Sequence, residues 1–177
     1  MEVTVQDVLK FRDKKAEIQK QLTEKFPNSI IVSLGMNIPG PVKTGLAVYY
    51  GFCEGKENLE WLLSCRGTIR KKMQIDDKAG YAAVYAVDGE ERQHIKERTI
   101  ELEETHLLGR IWDIDVLDEQ SMPLMRQQLG IAERKCLLCN SNARECCRSR
   151  KHSAKELQEK VFAILESWMA EQDPPVF

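Results

Sequence analysis

Three short apolar runs, residues 29–34, 80–87 and 108–116, constrain this chain more than any other feature. Each is bounded by turn-forming or polar residues and is strand-sized, so each reads as a buried β-strand. Between them the apolar residues recur at helical spacing. Residues 4–26 carry Val8, Phe11, Ile18, Leu22 and Phe26 on one face behind Thr4 as N-cap, and Pro27-Asn28 ends the pattern. Residues 43–64, with Leu46, Tyr49, Tyr50, Phe52, Leu59, Trp61 and Leu62, read as one or two helices interrupted near Gly55. Asp88 and Glu91 make a capping box ahead of a helix that shows Ile95, Thr99 and Leu102 on one side. Ser153 and Glu156 make another, opening a last helix with Leu157, Val161, Leu165, Trp168 and Met169. Residues 123–129 suggest a short helix ended by Gly130, whereas the basic stretch 66–72 has no clear period. Helices alternating with short strands predict an α/β or α+β fold, a small mixed sheet packed by helices.

At 177 residues the chain is long enough for one proper core, so residues 1–177 are expected to form a single domain. A Cys-rich basic segment, 134–153, and a C-terminal helix, 154–171, belong to it. No apolar run is long enough to span a bilayer, and the N-terminus lacks the basic start and apolar core of a leader, so the expected location is cytoplasmic. A net charge of −2 argues against nucleic acid or an acidic membrane as partner. The charges are nevertheless segregated. Residues 88–119 hold eleven acidic and four basic residues, and residues 134–155 hold seven basic and one acidic. An acidic and a basic stretch together suit a metal-chelated polyphosphate, although solvated helix faces produce such runs too.

The acidic stretch ends in Leu108-Gly109-Arg110-Ile111-Trp112-Asp113-Ile114-Asp115-Val116. In a strand, residues i and i+2 share a face, so Asp113 and Asp115 project together, either as ligands to Mg²⁺ or as the wet side of an edge strand. Arg110 beside them has a guanidinium that forks onto phosphate oxygens, or pairs with the aspartates. The loop Met36-Asn37-Ile38-Pro39-Gly40-Pro41-Val42-Lys43-Thr44 follows the first strand. Lys43 and Thr44 resemble the end of a phosphate loop, but the glycine pattern of a Walker motif is absent. Asn37 either holds this loop or touches substrate. Cys136, Cys139, Cys146 and His152 form a C-x₂-C-x₆-C-x₅-H pattern whose donors suit zinc, with Cys147 an alternative ligand. Without metal they are small packing groups, and Arg148, Arg150 and His152 become phosphate contacts. His94 and His106 read as surface positions.

These segments, taken in order with Glu133-Arg134-Lys135-Cys136-Leu137-Leu138-Cys139 and Cys146-Cys147-Arg148-Ser149-Arg150-Lys151-His152-Ser153, resemble the CitX family. Its members are apo-citrate lyase phosphoribosyl-dephospho-CoA transferases, or citrate lyase holo-acyl-carrier-protein synthases, a nucleotidyltransferase activity. The resemblance implies that a serine hydroxyl of the apo acyl carrier (gamma) subunit attacks the α-phosphate of triphosphoribosyl-dephospho-CoA, with pyrophosphate leaving. That reaction gives the residues consistent expected roles by their chemistry: Asp113 and Asp115 bind Mg²⁺, and Arg110, Lys43, Arg148 and Arg150 neutralise the triphosphate. The analogous malonate decarboxylase transferase resembles nucleotidyltransferases with a Gly-Ser motif ahead of paired aspartates, where Gly109-Arg110 stands here, and a nucleotidyltransferase-like fold is the corresponding expectation. Two other readings are the same transfer onto a malonate decarboxylase carrier and a non-enzymatic zinc-binding adaptor.

Overall fold

A computed structural model describes residues 2–139 and 141–172; the Pro-Pro tail lies outside them. The described elements run α1 (Val5–Lys25), β1 (Ile30–Met36), α2 (Leu46–Ser64), β2 (Thr68–Asp77), β3 (Gly80–Asp88), α3 (Arg92–Thr105), β4 (Trp112–Val116), a 3₁₀ turn (Arg126–Leu129), α4 (Ala143–Arg148) and α5 (Ala154–Glu171). Thr4 and Ser153 cap α1 and α5 as reciprocal capping boxes, and Gly130 ends the 3₁₀ turn in a left-handed conformation. None of the described helices is long and apolar enough to cross a membrane.

The four strands form one sheet in the order β2-β3-β1-β4, antiparallel at every pairing. The expectation of a mixed sheet is corrected for a topological reason. Strands β1 and β2 are parallel to each other and joined through α2, as are β3 and β4 through α3, but each parallel pair has a strand of the other inserted between its members. This is the split βαβ order of ferredoxin-like sheets, not the mixed sheet expected of a nucleotidyltransferase-like domain.

Both faces are covered. Val32, Leu34, Tyr85, Val87, Trp112, Ile114 and Val116 face a core with Phe52, Leu59 and Leu63 of α2, Ile95 of α3, and Val161 and Leu165 of α5. The alternate residues Ile31, Ala82, Val84 and Ala86 face Ile18 and Leu22 of α1. On β4 the alternation is clean: Trp112, Ile114 and Val116 are buried while Asp113 and Asp115 point to the α1 side.

Three local readings change. The helix of residues 46–64 is unbroken at Gly55, because that glycine makes room for the Trp112 indole rather than breaking the helix; an added Cβ would lie 2.6 Å from Trp112 Nε1. Gly55→Ala is therefore expected to lower stability by about 1–3 kcal/mol despite alanine's better helix propensity, as checked by denaturant unfolding. Asp88 does not cap α3; its carboxylate accepts from Ser29 Oγ at 2.5 Å, and Glu91 occupies the N-cap without a side-chain bond. The basic stretch 66–72 leads into β2, an edge strand that is mostly exposed and bulged near Ile69, so its period was hidden.

Candidate active site

Strand β4 is the other edge of the sheet, and its aspartates open into a cleft of about 270 Å³ between the sheet and the segment 123–144. Asp113 lies opposite Gly35 of β1, so no side chain fills the space beside it. Asp115 accepts from Lys15 Nζ of α1 at 3.2 Å. The Asp113 side chain reaches solvent, yet the protein packed around it thins its hydration, and this desolvation and the neighbouring Asp115 charge both raise its pKa above the usual carboxylate range. Two close carboxylates, one reluctant to ionise, are the donor set a hard divalent cation relieves.

The opposite wall is cationic. Lys96, buried at 7% exposure, donates from Nζ to the Ile114 carbonyl at 2.9 Å, and burial lowers its pKa. Glu103, 2% exposed, accepts from Ile114 N at 3.0 Å and pairs with Arg126 at 3.0 Å and with Arg134. Arg134 also donates to the Trp112 carbonyl at 3.0 Å. Each outward backbone group of β4 so named is bonded to a charged side chain. Arg144, paired with Glu133 at 3.3 Å, completes the lining. One carboxylate among Lys96, Arg126 and Arg134 leaves that wall net positive, facing two aspartates. Such a bipolar cleft suits a polyphosphate carried with its metal.

Of the residues singled out from sequence, Asn37, Asp113 and Asp115 line the cleft. The others do not. Arg110 lies in the turn before β4 and donates to the Lys135 carbonyl, and the cationic wall is formed by Arg126 and Arg134 instead. Lys43 turns back onto its own loop, donating to the Ile38 carbonyl, and borders a separate pocket with Val3, Val8 and Gly40; Thr44 stays on that loop. Arg148 and Arg150 are exposed at the end of α4, outside the cleft lining. His152 Nε2 lies 3.3 Å from Cys139 Sγ, so it joins the thiols rather than a phosphate site.

Lys15, Lys96, Glu103, Arg126, Arg134 and Arg144 escaped the reading of the sequence. A signal for two of them was present: Lys96, Thr99 and Glu103 recur at helical spacing beside Ile95 and Ile100, which puts charge on the stripe α3 buries.

The thiol cluster is assembled. Donor atoms of Cys136, Cys139, Cys146 and His152 all lie within 4.8 Å of one another, a set that can hold a metal ion. Cys146 is buried and Cys147 exposed, which resolves the choice between them. Hydrogen bonds from His152 and Ser141 hold the Cys139 thiol down at about 5, and burial pushes Cys146 up to about 11.

Comparison with known proteins bears on the whole chain. A family model described as CitX, apo-citrate lyase phosphoribosyl-dephospho-CoA transferase, matches residues 3–168. A protein named CitXG from Leuconostoc mesenteroides subsp. cremoris is 31% identical over 167 residues, which are 94% of this chain and 36% of that longer protein. A probable apo-citrate lyase phosphoribosyl-dephospho-CoA transferase of Streptococcus pyogenes is 30% identical over 169 residues, covering 94% of this chain and 87% of the relative. The apo-citrate lyase phosphoribosyl-dephospho-CoA transferase of Escherichia coli is 30% identical over 164 residues, 92% of this chain and 88% of the relative. With a family match across both the aspartate strand and the thiol cluster, the chain belongs to the CitX family.

Proposed function

We propose that this protein transfers the phosphoribosyl-dephospho-CoA group from triphosphoribosyl-dephospho-CoA to a serine of the apo acyl carrier subunit of citrate lyase, releasing pyrophosphate. The observation that carries the reading is the cleft in which Asp113 and Asp115 face Lys96, Arg126, Arg134 and Arg144. The names of the relatives favour a citrate lyase carrier over a malonate decarboxylase carrier, and a bipolar cleft has no role in a non-enzymatic adaptor. The free cysteines suit a reducing compartment, and we place the reaction in the cytoplasm.

Asp113 and Asp115 are the residues that would hold Mg²⁺, which would polarise the α-phosphate and stabilise the departing pyrophosphate. The rest falls to the chain. Lys15 orients Asp115. Arg126 and Arg134, fixed by Glu103, present guanidinium groups already in place to the β- and γ-phosphates, so little reorganisation is needed as charge moves onto the leaving group. Arg144, paired at the surface with Glu133, is the more adaptable contact. Asn37, at the end of β1, is positioned to hydrogen-bond the substrate across the cleft from the arginines. The thiol and imidazole donors of Cys136, Cys139, Cys146 and His152 are those of a structural Zn²⁺ site.

Gly35 supplies a specific test of the site's location. An added Cβ there meets nothing closer than the Asp113 carbonyl at 3.9 Å, so a methyl group fits, and a longer side chain extends into the space beside Asp113. Gly35→Ala is expected to leave thermal stability unchanged or slightly raised, since glycine weakens a strand interior, and Gly35→Leu to reduce transfer at least about tenfold. The overall reading is tested by mixing the protein with apo carrier, triphosphoribosyl-dephospho-CoA and Mg²⁺ and weighing the carrier by intact mass. The expected result is addition of the prosthetic group to one serine; an unmodified carrier overturns it.

A further inference from the structure

The cleft wall opposite the aspartates is built from a part of the chain that has almost no core of its own. Nine of the fifteen cleft-lining residues come from residues 123–144. Yet among the described residues from 118 to 160, Cys146 is the sole buried one. Backbone pairing there is sparse. Residues 134–136 and 141–143 form a short ribbon, with Cys136 N donating to the Ser141 carbonyl at 2.7 Å and Ala143 N to the Arg134 carbonyl at 2.9 Å, and Asn142 caps the six-residue α4. A segment this poor in buried apolar surface needs another source of order, and a bound metal is the usual one in small units of structure.

Three thiols and an imidazole meet in this segment. Cys136 comes from the ribbon's first arm, Cys139 from the bend that follows it, Cys146 from α4, and His152 from the residue before the α5 cap. The edges of a tetrahedron of sulfur and nitrogen around zinc measure about 3.5–3.8 Å, given Zn–S of about 2.3 Å and Zn–N of about 2.0–2.1 Å. The observed spread of 4.8 Å closes to that with small side-chain rotations. An uneven number of thiols plus an imidazole is a poor disulfide set and a standard zinc one. The placement of the ligands is the telling point. Arg134 precedes Cys136 by two residues and Arg144 precedes Cys146 by two, so each of these cleft arginines is tethered next to a ligand.

We infer that Cys136, Cys139, Cys146 and His152 bind one structural zinc ion, and that this ion is the clip that holds Arg134 and Arg144 over the paired aspartates. The metal site stands on its own; the link to substrate rests on the phosphate-binding reading of the cleft given above. Zinc here takes no part in bond making. It gives the arginine wall the fixed geometry that the sheet gives the aspartates.

The test uses the full-length protein. Metal analysis after gel filtration is expected to find one zinc per chain, and replacing it with Co²⁺ should give the absorption bands of a tetrahedral cobalt–thiolate centre. Cys139→Ser should lower the zinc content, whereas Cys147→Ser should leave it unchanged. Stripping the wild-type protein with a chelator should raise amide exchange across residues 133–150 while the four strands stay protected. The same treatment should weaken binding of inorganic pyrophosphate with Mg²⁺ by about tenfold, the loss of roughly one charge-assisted contact, and added Zn²⁺ should restore both. Absence of retained metal, or equal zinc in the Cys139→Ser protein, overturns the site. Unchanged exchange and pyrophosphate affinity on stripping overturn the clip. A zinc-loaded protein that shows all these responses but never modifies the carrier supports the clip and counts against the transferase reading alone.

Discussion

Asp113→Asn is expected to slow transfer to the carrier by about a thousandfold, the several kcal/mol that a metal ion supplies in stabilising transition-state charge. The fold should not suffer. Asp113 reaches solvent, makes no direct ion pair among the described residues, and is held above its ordinary pKa by partial desolvation and by Asp115. Removing one of two repelling carboxylates therefore leaves the thermal midpoint in Mg²⁺-free buffer equal or higher. Single-turnover carrier mass and a melting curve on the same sample check both halves. A fall in midpoint together with activity would mean that the aspartate serves the fold, and an unaltered rate would remove it from the chemistry.

The second large effect is on stability. Glu103→Ala strips the counter-charge from buried Lys96, from Arg126 and from Arg134, and leaves Ile114 N–H without its acceptor. Breaking a buried ion network from one side costs about 3–5 kcal/mol because the remaining charges stay desolvated. Urea unfolding should show a loss of that size. Glu103→Gln keeps an acceptor for Ile114 and is expected to recover part of it, whereas equal losses in the two variants would assign the whole effect to charge. Transfer should fall in both, since the guanidinium groups of Arg126 and Arg134 lose the carboxylate that orients them.

What could be read before the fold was known depended on periodicity. Asp113 and Asp115 were placed on one face because strand alternation is a local rule, and β4 obeys it. The thiols and His152 were grouped by spacing, and they do converge. For Arg110 adjacency in sequence is no guide: it precedes the strand in a turn, where no alternation applies, and donates to the Lys135 carbonyl. Lys43 went the same way, satisfied by its own loop. Arg126 and Arg134 lie in segments with no period at all, so nothing local aims them. Contacts distant in sequence do, the ion pairs to Glu103 among them. Lys96 and Glu103 sit on the stripe that α3 buries, and charge there becomes intelligible once the backbone it serves is known.

That backbone is an edge. The outward amide of Ile114 and the outward carbonyls of Trp112, Ile114 and Val116 are engaged by Glu103, Arg134, Lys96 and the amide of Leu124. An uncovered strand of this kind is a template for addition of a strand from another molecule, the first step towards aggregates. The charged groups that shape the cleft therefore also keep neighbouring molecules from pairing onto β4, so solubility at high protein concentration and the cationic wall of the cleft are properties of the same few side chains.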